Sequence, residues 1–294
     1  MRNLTGGLTM SIKNLKRAWV LITGGARRII GTVIAWLLAS AGMNIVIHDK
    51  WKGKWVLVTG GSDRVGKGIC EYLAARGLNV IIHARTDRPS LHALAEALRR
   101  DYGVEVQTVT GELTNEAAVK AIFEQCSPDV VVNNAAVFEG GKNTGNIAAN
   151  KDASLLVTRE AIARAERDWK GIVIFFVGDS FAEKGGEYPG DHDEYLESKL
   201  WIREMVEKLA SLGKKRIRVL AIMSGPIEPK TTTPVETVAK IRAEINMPEE
   251  ELNPWIGGWR VGEAIYALLI AEAISGVVFV DGGRSATNPA PPEH

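Results

Sequence analysis

Short, nearly continuous apolar runs alternate along this chain with segments of helical periodicity. Trp55 to Val58, Val80 to Ile82, Val130 to Val132, Ile172 to Val177, Ile217 to Ile222 and Val277 to Val280 are such runs. Runs of this length are expected of strands buried on both faces of a parallel sheet. Val104 to Val109 reads as a strand of alternating character instead. Between them, Ile69, Leu73 and Ala74 recur at helical spacing before Gly77 and Asn79 stop the helix. Further helices are predicted over Leu91 to Tyr102, Glu116 to Cys126, Ala148 to Ala165 (starting near Asn150), Tyr195 to Leu212 and Gly262 to Ala273. The polar stretches Glu139 to Asn146 and Gly178 to Glu194 read as loops, and Lys230 to Asn253 as a loop with one short helix. Strands alternating with helices predict an α/β fold with a doubly wound, mainly parallel sheet.

The pattern contains a repeat. Residues 19–50 align with residues 55–85 once one extra residue, best placed at Ile30, is set aside, and 15 of the 31 aligned pairs are identical. Self-similarity of this kind points to duplication. Ile29 to Ile47 carries no charge and follows basic residues, as a membrane anchor would, but the alignment explains it as a buried helix and strand. One sheet needs only one first strand, so one copy is surplus. The expected division is a duplicated unit at 1–53, a main domain at 54–287 and a frayed Pro-rich tail at 288–294.

Each copy reads strand, glycine-rich turn, helix, strand, the first half of a Rossmann-type dinucleotide-binding unit. Glycines at Gly60, Gly61 and Gly66 let the backbone approach a pyrophosphate, and the helix that follows presents free N–H groups to it. The second copy is read as the working one. It keeps the spacing Thr59-Gly60-x-x-x-Arg64-x-Gly66 and is continuous with everything downstream, whereas the extra residue displaces Gly31 in the first. The first copy ends His48-Asp49, where an acid favours a free ribose hydroxyl. The second ends His83-Ala84-Arg85-Thr86, where Arg85 favours a 2′-phosphate.

Composition narrows the class without changing the fold. Apolar residues make up 46% and charged residues 24%, and the net charge is +1. No basic stripe suggests nucleic acid, and the balance does not suggest a membrane surface. The five histidines show no metal-ligand spacing, so no metal is expected. Cys70 and Cys126, both in helical segments, read as buried free thiols of a cytoplasmic protein.

Tyr195-Leu-Glu-Ser-Lys199 sets a phenol and an ammonium at i and i+4 on one helix face. A lysine held there is expected to favour the phenolate and lower the tyrosine pKa. With this segment the chain resembles the short-chain dehydrogenase/reductase family over about residues 54–286. The matching pieces are Thr59-Gly60…Gly66, Asn133-Asn134-Ala135, Asn150, Tyr195…Lys199, Gly225-Pro226 and Val280-Asp281-Gly282-Gly283. The resemblance implies a hydride-transferring enzyme. It makes Tyr195 the general acid, Lys199 the residue that binds the nicotinamide ribose, and Asn150 the holder of a water in the proton relay. Thr59, Gly60, Gly61, Arg64, Gly66, Arg85, Thr86, Asn133, Ala135, Gly225 and Pro226 then line the cofactor.

Within the family the chain looks most like the pteridine reductases. Arg64 stands where most members have glycine, which in that branch goes with NADPH. Phe138 falls where that branch stacks a pterin ring. Asp179 falls where it has aspartate in place of the family's serine, although Ser180 beside it is an alternative. The chain departs from the pattern in its first repeat, in a shorter gap from Asn134 to Asn150, and in a longer gap from Asp179 to Tyr195. The expected activity is NADPH-dependent reduction of a pterin-like or other small carbonyl or imine substrate, by a homo-oligomer (dimer or tetramer). The rivals are a 3-oxoacyl-thioester or general ketone reductase, and a non-catalytic nucleotide-binding protein inactivated by the duplication.

Overall fold

The computed structural model describes residues 19–22, 44–47, 50–137, 145, 147–179, 193–211, 216–224, 257–271 and 276–280. The chain divides into two compact units, residues 1–50 with 270–274, and residues 51–269 with 275–294. In the first, β1 (Trp19–Ile22) and β2 (Asn44–Ile47) pair in parallel, Trp19 opposite Asn44 and Ile22 opposite Ile47. The stretch between these strands lies outside the described residues.

The second unit holds a parallel sheet of seven strands: β3 (Trp55–Val58), β4 (Asn79–Ala84), β5 (Val106–Thr110), β6 (Val130–Asn133), β7 (Ile172–Asp179), β8 (Ile217–Ser224) and β9 (Gly276–Val280). Their order is β5-β4-β3-β6-β7-β8-β9, so the winding reverses between β3 and β6. The described helices are α1 (Arg64–Ala75), α2 (Pro89–Tyr102), α3 (Glu116–Gln125), α4 (Ala153–Arg167), α5 (Asp193–Ser211) and α6 (Gly258–Ile270). This is the doubly wound α/β architecture expected from the alternating pattern.

The apolar runs build it because successive side chains point to opposite faces. Val56, Val58, Val130 and Val132 join one core layer with residues of α1, α2 and α6. Leu57, Val131, Ile174 and Phe176 join the other with residues of α3, α4 and α5. β4 and β7 are buried along their whole length, whereas β5, at one edge, buries only Val106 and Val109, one in each core layer. Helix starts follow local chemistry. Asn115 Oδ1 accepts from Ala117 and Ala118 N–H at 2.9 and 3.2 Å, and Pro89 opens α2, where its missing N–H costs nothing.

Two of the element boundaries that differ from the sequence reading bear on the site. β7 runs on through Gly178 and Asp179, because both pair with β8, Asp179 opposite Ser224. Asp179 is therefore a strand-end residue and not part of a loop. The helix expected over Ala148 to Ala165 begins instead as a π-turn, Ala148–Asp152, before α4 takes up α geometry. Among the described residues, no helix is long and apolar enough to cross a membrane, and no cluster of three metal-ligating side chains occurs.

Candidate active site

The carboxyl ends of β3 and β6 flank the point where the strand order reverses, so a crevice opens there. The turn after β3 is tied to the end of β6. Thr59 Oγ1 donates to the Val132 carbonyl at 3.2 Å and accepts from the N–H groups of Asn134 and Ala135 at 2.9 and 3.0 Å. Asn134 Nδ2 returns the contact, donating to the carbonyls of Thr59 and Gly60 at 3.0 and 3.3 Å. Gly60 has φ +61°, and a Cβ there would stand 3.0 Å from Ala135 Cα. A Cβ on Gly66 would strike the Gly60 carbonyl and come within 2.7 Å of Asn134 Nδ2. The turn and the first turn of α1 thus close on one another only because no side chain separates them. Such a cradle fits the pyrophosphate of a dinucleotide.

Arg64 opens α1 at φ +45°, a left-handed conformation that favours glycine. Asp63 Oδ1 caps it at 2.8 Å. Arg85 and Thr86 are exposed just past β4. His83, in the strand two residues before Arg85, is buried. Its Nδ1 accepts from the Gly60 N–H at 3.2 Å, and its Nε2 lies 3.0 Å from the Gly111 carbonyl. Asn133 turns away from the turn, its Nδ2 donating to Thr158 Oγ1 on α4 at 3.1 Å. It ties β6 to α4, and Asn134 is the asparagine that reaches the turn after β3.

The second half of the site sits at the end of β7. Tyr195, near the start of α5, donates its hydroxyl to Asp179 Oδ2 at 3.3 Å. Lys199 is buried one turn further along, its Nζ donating to the Val177 carbonyl at 3.2 Å and lying 5.5 Å from the Tyr195 ring centroid. The electrostatics differ from the sequence expectation. The Tyr195 pKa is raised well above its ordinary value, by burial first and then by the Asp179 carboxylate, and the charge that pulls it down is that of Arg64. The reason is geometric: the phenol faces a carboxylate while Lys199 turns to a backbone carbonyl. Burial in turn lowers Lys199 to about 8, with Asp179 opposing. The site therefore holds a protonated phenol, a proton donor, above a lysine that is still mostly charged at neutral pH.

Asn150 lies in the π-turn, a local widening often found at functional sites. Its Oδ1 accepts from the Val137 N–H at 2.6 Å, and its Nδ2 donates to the Val137 carbonyl and to Ser198 Oγ, both at 3.0 Å. Ser198 Oγ donates in turn to the Tyr195 carbonyl at 2.6 Å. Asn150 is thereby linked to the backbone of the tyrosine through one hydroxyl. Of the residues singled out from the sequence, Phe138, Ser180, Gly225 and Pro226 lie outside the described residues, as does the tail at 288–294. The sequence reading missed His83, Asn134 and Ser198 as site residues. All three stood inside quoted motifs, and the repeated histidine, His48 in one copy and His83 in the other, was a usable signal.

The profile of the short chain dehydrogenases matches residues 54–239. A 7beta-hydroxysteroid dehydrogenase of Collinsella aerofaciens is 37% identical over 71 residues, 24% of this chain and 27% of that protein. A very-long-chain 3-oxoacyl-CoA reductase of Meyerozyma guilliermondii is 34% identical over 97 residues, 31% and 28% of the two chains. An inactive hydroxysteroid dehydrogenase-like protein 1 of Homo sapiens is 30% identical over 93 residues, 30% and 28% of the two. The matched stretches span less than a third of each of these relatives. Among solved structures, an NADPH-dependent 3-quinuclidinone reductase from Rhodotorula rubra shares the fold with a TM-score of 0.68 at 21% identity, over 80% of this chain and 92% of that one. The family profile covers well over half of the sequence and takes in the phosphate turn, Asn150, Tyr195 and Lys199, and on that ground the chain belongs to the short-chain dehydrogenase family, a family of oxidoreductases.

Proposed function

We propose that this protein is an NADPH-dependent reductase of a small carbonyl or imine substrate, with Tyr195 as the proton donor. The observation that carries the proposal is the half-buried Tyr195 hydroxyl, which donates to Asp179 at the carboxyl end of β7 and whose pKa is held well above its ordinary value. NADPH, when bound, supplies a hydride. Thr59, Gly60, Gly61 and Gly66 would hold its pyrophosphate, Ala135 would border it, and Arg64, Arg85 and Thr86 would face its phosphates. Exposed guanidinium groups suit phosphate because their fork matches its oxygens. Gly225 and Pro226 complete the cofactor set by family resemblance.

The chain's own residues then have separable tasks. Tyr195 gives its proton to the oxygen or nitrogen of the reduced double bond. Lys199 brings positive charge under the phenol and to the ribose side. Asn150, through Ser198, holds the backbone of Tyr195 in place, and a second lone pair on its Oδ1 would accept from a relay water. Asp179 accepts the hydrogen bond of the phenol at rest.

Asp179 at the phenol is also what favours a pterin-like substrate, since a carboxylate can hold the amino and ring N–H groups of such a ring, with Phe138 stacked on it. A ketone or 3-oxoacyl thioester instead needs only a neutral donor such as Ser180 at that place. The assembly we propose is a homo-oligomer in the cytoplasm. The test is NADPH and NADH titration of the full chain, followed by turnover with biopterin-like and acetoacetyl substrates. Tighter binding of NADPH and faster turnover of the pterin is the expected result. Tighter NADH binding overturns the cofactor assignment, and preference for the acetoacetyl substrate moves the chain to the ketone-reductase reading.

A further inference from the structure

His83 is an unusual residue to find at the end of a buried parallel strand. It is 3% exposed, and the strand before it, Val80 to Ile82, is wholly apolar. Both ring nitrogens are used. Nδ1 meets the Gly60 N–H, a donor, so Nδ1 must be unprotonated. Nε2 meets the Gly111 carbonyl, an acceptor, so Nε2 must carry the proton. The two partners select one neutral tautomer. The backbone on either side joins in: the Gly61 N–H donates to the His83 carbonyl at 2.9 Å, and the Gly111 N–H donates to the Ala84 carbonyl at 3.2 Å. One imidazole thus bridges the turn after β3 to the turn after β5, across the end of β4.

We propose that His83 is the positioning residue of the phosphate turn, and that a proton on its Nδ1 releases that turn and weakens dinucleotide binding. The inference rests on the cofactor reading above. Gly60 is the residue whose amide must be held, since its φ of +61° turns the chain and Gly66 packs against its carbonyl. Protonation of Nδ1 would set one N–H against another, losing a buried hydrogen bond and creating a donor–donor contact.

The surroundings leave His83 as the group that titrates. β3 and β5 contribute no titratable side chain. The buried face of α2 is Leu91, Leu94, Ala95 and Leu98. On α1 the buried titratable groups are Cys70, which burial keeps a thiol, and Tyr72, whose hydroxyl accepts from Arg76. The buried residues of α3 are apolar. Past β5, Glu112 raises the His83 pKa, against the larger lowering by burial. His83 is therefore neutral at physiological pH and poised to take a proton on acidification.

His83→Asn is the informative variant, because its Oδ1 can take the place of Nδ1 as acceptor but cannot be protonated. NADPH dissociation constants of the full chain, measured by fluorescence at pH 7.5 and 5.5, should rise on acidification for the native protein beyond any rise in His83→Asn, by less than about tenfold because burial holds the His83 pKa below its ordinary value. The 2′-phosphate titrates in both proteins, so the difference between them carries the result. Without any ligand, imidazole nitrogen NMR of histidine-labelled protein should show the Nε2–H tautomer at pH 7.5, and hydrogen exchange of the 59–66 segment, corrected for intrinsic rates, should quicken at pH 5.5 in the native protein alone. Equal pH dependence in the two proteins, or an Nδ1–H tautomer at pH 7.5, overturns the proposal. Failure to bind NADPH at either pH overturns the cofactor reading instead, and the tautomer and exchange measurements then still decide the role of His83.

Discussion

Lys199 and Tyr195 are adjacent on one helix face, yet burial acts on them in opposite directions. Desolvation penalises whichever form is charged, so it raises the phenol and lowers the ammonium. A rise in pH should therefore remove the Lys199 proton first, at about 8, while Tyr195 keeps its own. The expected outcome is a KM for NADPH that increases above pH 8, with the proton donor still in place. The linkage sign is equally defined. Between about 8 and 10.5 the unfolded chain binds more protons at this lysine than the folded one, so Lys199 makes stability increase with pH across that window. Steady-state kinetics and denaturation from pH 7 to 10, compared with Lys199→Met, check both: the variant should lose the KM rise and the stability slope together. Arg64 shows what was legible at this scale. The sequence marked it as an arginine in a glycine position, and the structure explains why glycine is favoured there, φ being +45°. That its charge reaches Tyr195 was not legible, because the two residues are 131 positions apart and meet only across the switch point.

At the scale of elements, the π-turn at Ala148–Asp152 is joined to α5 by the hydrogen bond from Asn150 to Ser198, whose hydroxyl in turn donates to the Tyr195 carbonyl within α5. Removing the hydroxyl leaves a buried Asn150 N–H without this partner, a loss of about 1–3 kcal/mol. Ser198→Ala should therefore destabilise the fold by that order and lower kcat more than it raises the KM for NADPH. In a double-mutant cycle with Asn150→Ala the two effects should be strongly non-additive, since they break one network. Additive effects would show that the two residues act separately. Most strands and helices were legible because apolar runs and helical spacing are local signals, as at Val130–Asn133 and Glu116–Gln125. The extension of β7 to Asp179 was not, since glycine and aspartate are poor strand formers and only pairing with Met223 and Ser224 holds them there. Likewise Gly66 was legible as a turn glycine, but the contact that demands it, with the Gly60 carbonyl and Asn134, arises from the fold.

For the whole molecule, the repeat and the sheet state the same problem. β1 and β2 pair in the register of β3 and β4, Trp19 opposite Asn44 as Trp55 is opposite Asn79. The seven-stranded sheet uses β3 and β4, which carry the phosphate turn, His83 and the link to β6. Trp51 belongs to that unit: it is buried, and its Nε1 donates to the Leu269 carbonyl at 3.0 Å. A truncation should therefore start at Trp51, three residues before the main domain expected from the sequence begins at Lys54. We expect that chain to fold and to bind NADPH as the full chain does, measured by fluorescence titration, and loss of binding would assign the cofactor to the first copy. The account as a whole stands on Tyr195. The direct measurement is NADPH consumption by the full chain and by Tyr195→Phe with the best substrate found, alongside NADPH binding by both. The account predicts that the variant binds NADPH unchanged and loses at least ~100-fold in turnover. Unchanged turnover in a variant that binds NADPH would contradict it.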